Sequence, residues 1–308
     1  MATHPNSRLR TGLAGIMASV AVLAAMPVGA GEQTAMEPLF AAPFVVEHHV
    51  VQTDADGTAS ATEPVTDYYG GSWIVSVRPD GSRLVVDFTR REVTEIRPAA
   101  STYSTLGFER LAELNRRLRA AGNATQAGPE TTAAPKGPRQ VAPISAAAIQ
   151  VQRLPDGEGA VRSVRAAGAS GQGVMRLMVT AGAGASPIEV WCDPRVKLSE
   201  RARGAVAELE ANVLEGGAGA AAGPATMLAA ARGFAQGAFP VRTFRKTGAI
   251  AGAATIEDVA TRLEPLERFQ TDLVKVSDGY RRVPHPLEVM VAFVEEEAAR
   301  ARQPQPGQ

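Results

Sequence analysis

The amino-acid sequence predicts an α+β fold, in which antiparallel strands joined by tight turns are followed by helices that pack on them. Two short runs with the period of a strand, residues 73–77 and 84–88, flank a Pro-Asp-Gly turn. Directly after them, large apolar residues recur at spacings of three and four over residues 108–118, as in an amphipathic helix. Because strand, turn and helix signals follow one another cleanly here, this stretch defines the fold class.

The first thirty residues have the composition of a cleavable signal peptide. Arg8 and Arg10 supply a basic start, an apolar run extends from Leu13 to Met26, and Val28-Gly29-Ala30 is a small-residue cleavage site. The apolar run is shorter than the roughly 18 to 20 residues of a membrane-spanning helix, which favours cleavage over an uncleaved anchor. The sequence therefore predicts an exported, periplasmic protein that is not an integral membrane protein.

Composition divides the rest of the chain. We expect a flexible arm at residues 31–43, a single domain over residues 44–302 and a polar tail at residues 303–308. Residues 123–143 are rich in Ala, Pro, Gly and Thr with few large apolar side chains, which predicts a disordered or mobile insertion. Residues 199–236 predict a helical hairpin, with Ser199 as the cap of its first helix.

Strand signals begin at Phe44 and alternate to Val51, after which residues 54–64 are polar and turn-like. In the hairpin that follows, Trp73, Val75 and Val77 share one face of the first strand, and Leu84, Val86 and Phe88 share one face of the second. A further strand is expected at residues 93–97, closed by Pro98, and residues 102–104 are expected to lead into the helix.

The second half of the chain predicts another meander. Short strand-like runs separated by Gly-containing turns are expected at residues 149–154, 161–165, 174–180 and 188–192, and the chain is expected to return to strand at residues 239–246, after the helical hairpin. Residues 255–266 fit both the helix and the strand period. Residues 273–276 predict a last strand followed by an Asp-Gly-Tyr turn, and residues 286–302 a closing amphipathic helix.

Charge and cysteine content exclude several function classes. The 32 basic and 32 acidic residues balance, so no global field attracts nucleic acid, and no nucleic-acid partner is expected. Cys192 is the only cysteine, which excludes an intrachain disulfide and multi-cysteine zinc sites. Its apolar neighbours predict a small buried hydrophobe rather than a reactive nucleophile.

No motif in the sequence assigns a catalytic or metal-binding residue, and no cofactor is expected. His48 and His49 form the only His pair, but adjacent strand residues point to opposite faces and do not share one ion. A serine-nucleophile elbow and a phosphate-binding loop are both missing. We therefore do not expect an enzyme. A hydrolase would require the fold to gather His48 or His49 with carboxylates such as Glu47 or Asp87.

The residues around the hairpin also carry a resemblance. Tyr68-Tyr69, the Trp73 strand, residues 83–91 and the ending at residues 273–284 resemble an exported bacterial family of unknown function. That family is in turn distantly similar to the outer-membrane lipoprotein carriers. The resemblance implies a curved antiparallel sheet, an incomplete β-barrel, with helices on its concave side. It also favours the strand interpretation of residues 255–266.

The leading hypothesis for function is a non-enzymatic periplasmic binding protein. It would hold a lipid, an acylated protein or a peptide in an apolar groove between sheet and helices, with its partner a lipid, a lipoprotein or another envelope protein. The candidate ligand-binding residues are Trp73, Val75, Phe88, Leu111 and Trp191. The alternative is an envelope structural or interaction protein with a filled core. An open cavity lined by Trp73, Phe88 and Trp191 would favour the first, and a close-packed interior the second.

Overall fold

The molecule is built on one large, curved sheet. The sheet is open, because its strand order begins and ends at an edge strand. The computed structural model describes residues 37–126, 149–155, 173–181, 186–210, 224–247 and 254–301. Within these ranges the sheet has thirteen strands. They are β1 (Phe40–Thr53), β2 (Ala59–Ala61), β3 (Val65–Gly71), β4 (Trp73–Val77), β5 (Arg83–Asp87), β6 (Glu92–Arg97), β7 (Thr102–Gly107), β8 (Ile149–Arg153), β9 (Met175–Ala181), β10 (Ile188–Lys197), β11 (Ala238–Thr247), β12 (Ala254–Pro265) and β13 (Arg281–Arg282).

The strand order is β13-β7-β6-β5-β4-β3-β1-β12-β11-β10-β9-β8, with β2 paired to β1. The long strand β1 lies at the centre, where it pairs with β3 on one side and β12 on the other. It therefore joins the two predicted meanders into one sheet. The described pairings are antiparallel except for the short parallel pair of β13 with β7. The predicted α+β class, with an open half-barrel sheet, is confirmed.

In the described part of the chain, four helices cover one face of the sheet, here called the inner face. They are α1 (Phe108–Gln126), α2 (Glu200–Glu208), α3 (Pro224–Phe234) and α4 (Pro286–Ala301). Helices α1, α2 and α4 contribute Leu114, Val206 and Val291 to the main core, while α3 packs on β8, β9 and β10. The predicted cap of α2 is present, because the Ser199 hydroxyl accepts a hydrogen bond from the amide of Ala202 at 3.1 Å.

Aromatic rings fill the space between the inner face and the helices. The rings of Phe44 and Tyr69 stack with centroids 4.4 Å apart, and Phe239 contacts both edge-on. Phe40 extends this cluster to Phe88, whose ring contacts Phe108 at the start of α1. Because these rings interdigitate, this part of the interior is a packed core rather than a groove.

The outer face carries a second, smaller core. Val75, Val85 and Ile96 are buried there under residues 266–280, which we call the covering segment. The strand predicted at residues 273–276 is wrong: Thr271–Val274 is a 3₁₀ turn, and only Arg281–Arg282 pairs with the sheet edge. The apolar side chains of Leu273, Val274 and Val276 pack onto the outer face instead of extending the sheet.

Several boundaries differ from the sequence-based expectation. Strand β1 begins at Phe40 rather than Phe44, because the ring of Phe40 packs on Tyr69 and Phe88. The last four residues of the predicted arm therefore belong to the strand. Helix α1 continues to Gln126, so the first residues of the predicted insertion are helical. Residues 102–107 form β7 instead of leading directly into the helix, and β3 was not predicted.

Other expectations are confirmed. Residues 254–265 form strand β12, as the resemblance implied, and helices occur where residues 199–236 and 286–302 predicted them. The hairpin of β4 and β5 is present. The predicted signal peptide, polar tail, strand at 161–165 and most of the insertion at 123–143 lie outside the described residues. Among the described residues, no helix combines the length and apolarity needed to cross a membrane.

Candidate functional site

A pocket of about 290 Å³ lies on the outer face, between strands β4 to β7 and the covering segment. This volume is at the lower end of the range for small-molecule sites, which is roughly 300 to 1,000 Å³. We call it the outer-face pocket. Its lining consists of Trp73, Val85, Asp87, Arg90, Glu92, Thr94, Tyr103, Thr105, Val274 and Val276.

Strand register places the floor of the pocket. Trp73 lies opposite Asp87, and Asp87 lies opposite Glu92, so these three side chains form one row across β4, β5 and β6. In the next row, Val85 lies opposite Thr94, which in turn lies opposite Thr105. Side chains in register on antiparallel strands share a face, so two adjacent rows give the pocket a continuous floor.

The covering segment supplies the pocket wall and is fastened to the sheet by Arg83. The guanidinium of Arg83 donates hydrogen bonds to the backbone carbonyls of Asp272 and Leu273, each at 3.1 Å, and of Lys275 at 3.4 Å. A planar guanidinium with several donors suits this arrangement. The hydrogen bonds from Arg83 hold the backbone of the covering segment where Val274 and Val276 line the pocket.

Two adjacent glycines leave room for the ring of Trp73, which lines the pocket, and for the ring of Phe269 beside it. The ring of Phe269 stacks on the indole of Trp73, with centroids 5.8 Å apart. A Cβ atom at Gly70 would lie 2.6 Å from Cβ and Cγ of Phe269, which is too close for any real contact. Gly71 has a φ of +60°, and a Cβ there would lie 2.8 Å from the Trp73 ring.

The opposite end of the pocket is polar. The Asp87 carboxylate accepts hydrogen bonds from the backbone amides of Thr89, at 2.9 Å, and Arg90, at 3.0 Å. The Arg90 side chain is 74% exposed and its Nε lies 3.9 Å from the Asp87 carboxylate. Within the described ranges, the carboxylate of Glu92 has no hydrogen-bond or ion-pair partner. The pocket therefore combines walls of apolar and threonine side chains with an end that carries two carboxylates and one guanidinium.

The structure does not bring the five predicted ligand-binding residues together. Trp73 lines the outer-face pocket, and Val75 lies fully buried beside it in the outer core. Leu111 and Trp191 belong to the main core, and Phe88 packs against it. Trp191 lies on β10, where its ring is flanked by two guanidinium groups whose centres are 4.5 and 5.4 Å from the ring centroid.

A second polar cluster lies on the inner face and centres on His48. Its Nδ1 is 2.9 Å from the carboxylate of Asp258 on β12, and its Nε2 is 3.2 Å from the carboxylate of Asp67 on β3. Burial lowers the pKa of His48, but the two carboxylates raise it, and the result is a pKa well above its usual value. The adjoining cavity measures about 20 Å³, room for about one water molecule.

The His48 cluster does gather a histidine with carboxylates, but these are Asp67 and Asp258 rather than the expected Glu47 or Asp87. A raised pKa keeps the imidazole protonated, which is unsuitable for a general base near neutral pH. Among the residues that the structure describes, no group of three or more His, Cys, Asp or Glu side chains is arranged to hold a metal ion. Each imidazole nitrogen instead contacts a different carboxylate.

Cys192 is buried on the inner face of β10, as the sequence predicted. Burial raises the pKa of its thiol to about 12, so the reactive thiolate is not populated near neutral pH. Burial also raises the pKa of Tyr69 well above its usual value, so this phenol stays neutral in the core. Neither group is poised as a nucleophile.

Sequence reasoning missed the polar and covering residues of the outer-face pocket. Asp87 and Glu92 are separated by a turn, and their alignment appears only once the register of β5 and β6 is known. Phe269 lies in a polar stretch with no strand or helix period. The Gly70-Gly71 pair, which only Ser72 separates from Trp73, was the one local signal, since adjacent glycines indicate close approach of another group.

No family model matches the sequence, and no curated protein matches it. Among solved structures, PNGF-II is 8% identical over 82% of this chain with a TM-score of 0.33, and the chain spans about a third (34%) of its length.

Two smaller proteins are also similar. An uncharacterized conserved protein from Thermus thermophilus is 8% identical, with a TM-score of 0.31 over 79% of this chain and 91% of that one. A LolA superfamily protein from Nitrosomonas europaea is 7% identical, with a TM-score of 0.26 over 76% of this chain and 90% of that one. Because each TM-score lies below 0.5, none of these similarities assigns a function to the chain.

Proposed function

We propose that the protein is a non-enzymatic binding protein of the cell envelope that holds a small amphipathic ligand in the outer-face pocket. The observation that carries this proposal is the pocket itself, with a volume of about 290 Å³ between the sheet and the covering segment. Apolar walls with a few polar groups at one end are typical of sites that bury a chain and orient a head group.

The expected groove between sheet and helices is not the place for this ligand. Phe44, Tyr69 and Phe239 fill that space with edge-on and stacked contacts. On the outer face, by contrast, Val85, Val274 and Val276 present apolar surface to an open volume. Burying an apolar chain there is favourable by about 25 cal/mol for each Å² removed from water.

The envelope location rests on the signal-peptide composition of the first thirty residues. An exported binding protein needs no catalytic group, and both candidate nucleophiles described above are buried and neutral. In this proposal the residues of the pocket bind the ligand and do not react with it.

The proposal is tested by calorimetric titration of the exported protein with n-octanol, a neutral amphiphile. We expect saturable binding with one site per chain. Thr105→Phe places a ring in the pocket and should weaken binding at least tenfold. Thr66→Phe is the matched control, since Thr66 lies on the outer face, as Val77 opposite it does, but does not line the pocket. Absence of saturable binding, or equal binding by Thr105→Phe, would overturn the proposal.

A second candidate function is an envelope interaction protein, which the packed interior favours. Helix α4 exposes Val289 and Phe293 by 59% and 60%, and a spacing of four places both on one side of the helix. Exposed apolar pairs of this kind occur at contact surfaces. Pull-down of envelope proteins that depends on Val289 and Phe293, with the octanol titration negative, would favour this second function.

A further inference from the structure

We infer that the ligand of the outer-face pocket carries an amine, whose positive charge lies beside Asp87 and Glu92. The inference rests on the proposed function and specifies the chemical class of the ligand. It concerns the polar end of the pocket, where the row Trp73, Asp87 and Glu92 ends.

Strand register sets the two carboxylates directly beside each other. Asp87 and Glu92 are direct partners on the antiparallel strands β5 and β6, and both side chains line the pocket. The Cβ atoms of such partners are typically about 4.5 to 5.5 Å apart, and like charges directly opposite each other are destabilising. A cation placed between the two carboxylates removes this repulsion.

The positive charges of the chain do not fully remove the repulsion between the carboxylates of Asp87 and Glu92. The pocket lining contains two carboxylates and one guanidinium, that of Arg90. Arg90 lies 3.9 Å from Asp87 on a side chain that is 74% exposed, and such an exposed pair contributes little. The Asp87 carboxylate is oriented by turn amides, but within the described ranges Glu92 has no partner.

The remaining lining decides which kind of cation fits. Among the described residues, no group of three or more His, Cys, Asp or Glu side chains is arranged to hold a metal ion. Val85, Val274 and Val276 instead require an apolar group next to the charge. Trp73 and Tyr103 add aromatic surface, which favours cations over anions. These features together select an amphipathic amine.

The test compares three probes of equal chain length, octylamine, octanol and octanoate, by calorimetric titration at pH 7 and low salt. We expect octylamine to bind at least tenfold more tightly than octanol, and octanoate to bind more weakly than both. The preference should decrease as salt is added, because screening weakens interactions of partly exposed charges.

Two variants localise the effect. Glu92→Gln should weaken octylamine binding about five- to tenfold, and should weaken it more than it changes octanol binding. Glu63→Gln is the control, since Glu63 is exposed and does not line the pocket. Thermal unfolding of Glu92→Gln without ligand verifies that the fold is intact, and loss of repulsion should leave its Tm equal to or above that of the unmodified protein.

The outcomes separate the inference from the proposed function. If octanol and octylamine bind equally, or if Glu92→Gln does not change octylamine binding, the amine inference is wrong and the pocket remains a neutral apolar site. Tighter binding of octanoate would also overturn it. If none of the three probes binds, the proposed function itself fails, and the amine inference fails with it.

Discussion

The indole of Trp73 stacks on the phenyl ring of Phe269, with the ring planes inclined by 14°. The pair connects strand β4 to the covering segment. This segment also contacts the sheet through the Arg83 hydrogen bonds, the outer core and the amide of Leu266, which donates to the carbonyl of Pro43 at 2.8 Å. The stack therefore holds the covering segment against the Trp73 ring, which lines the outer-face pocket. It depends on the absence of a side chain at Gly70.

The first prediction concerns Gly70. Gly70→Ala places a methyl group against Phe269 and should displace the ring from Trp73, which costs about 1 to 3 kcal/mol of unfolding free energy as overpacking. Urea denaturation followed by Trp fluorescence measures this loss. In a Phe269→Ala background the same Gly70→Ala change should cost less than about 0.5 kcal/mol, because the clash partner is removed.

Gly233 provides the matched control. It lies within α3, and a Cβ added there meets no atom within 4 Å. Gly233→Ala should therefore stabilise the protein by roughly 0.5 to 1 kcal/mol through helix propensity. Equal effects of the two alanine substitutions would contradict the role assigned to Gly70.

Patterns of neighbouring residues were sufficient to predict the elements that depend only on local sequence. The β4–β5 hairpin follows from alternation and a Pro-Asp-Gly turn, and α1 follows from the spacing of Phe108, Leu111 and Leu114. Residues 273–276 show the limit of this reasoning. Their alternation indicates that one side is buried, but it does not indicate whether they join the sheet edge or pack on its face.

The candidate site was less predictable because it depends on register. Sequence alternation grouped Trp73 with Val75, and separately Val86 with Phe88, but did not relate the two groups. The turn of the hairpin sets Trp73 opposite Asp87, so the Phe88 ring points to the other side of the sheet. A change of one residue in register would exchange the two faces.

The second prediction concerns His48 and pH. Its pKa is raised in the folded state by the carboxylates of Asp67 and Asp258, with Tyr69 and Arg242 also lining the cavity. A raised pKa means that the folded state binds the proton more tightly than the unfolded state. The stabilisation is therefore fully present below the unfolded pKa of about 6.5, and it is lost as pH rises through the folded pKa.

The measurement is urea denaturation from pH 5 to pH 10 for the unmodified protein and His48→Gln. The stability difference between them should be largest at acidic pH and should shrink on the alkaline side. His285 offers a contrast of opposite sign, because burial lowers its pKa and its Nδ1 accepts a hydrogen bond from the amide of Leu287. Its contribution should be lost as pH falls below about 6.5. A difference for His48→Gln that grows with pH would refute the assignment.

The third prediction concerns the buried ion pair of Arg232 and Glu210. Two hydrogen bonds of 2.8 and 3.1 Å join the side chains, which are 3% and 1% exposed. Glu210→Gln leaves a buried guanidinium without its counter-charge and should cost about 3 to 5 kcal/mol. The double variant Arg232→Met with Glu210→Leu should cost much less, since no buried charge remains.

A double-mutant cycle by urea denaturation measures the coupling between the two side chains. The exposed pair of Arg300 and Glu296, at 2.6 Å on α4, is the control, and its coupling should be below about 1 kcal/mol. Additive effects at Arg232 and Glu210 would show that the buried pair is not coupled.

The last prediction concerns Arg83 and the mobility of the pocket wall. Its guanidinium donates to three backbone carbonyls of the covering segment, so Arg83→Gln should release this segment while leaving strands β4 to β7 paired. Hydrogen bonds to a charged group contribute about 1.5 to 3 kcal/mol, and partial exposure of Arg83 reduces this. Amide exchange at Leu273 and Lys275 should therefore accelerate about tenfold, while exchange at Val85 stays unchanged. Arg78→Gln is the control, because Arg78 contacts Glu95 at 3.9 Å and not the segment. Unchanged exchange at Leu273 in Arg83→Gln would mean that apolar packing alone holds the wall in place.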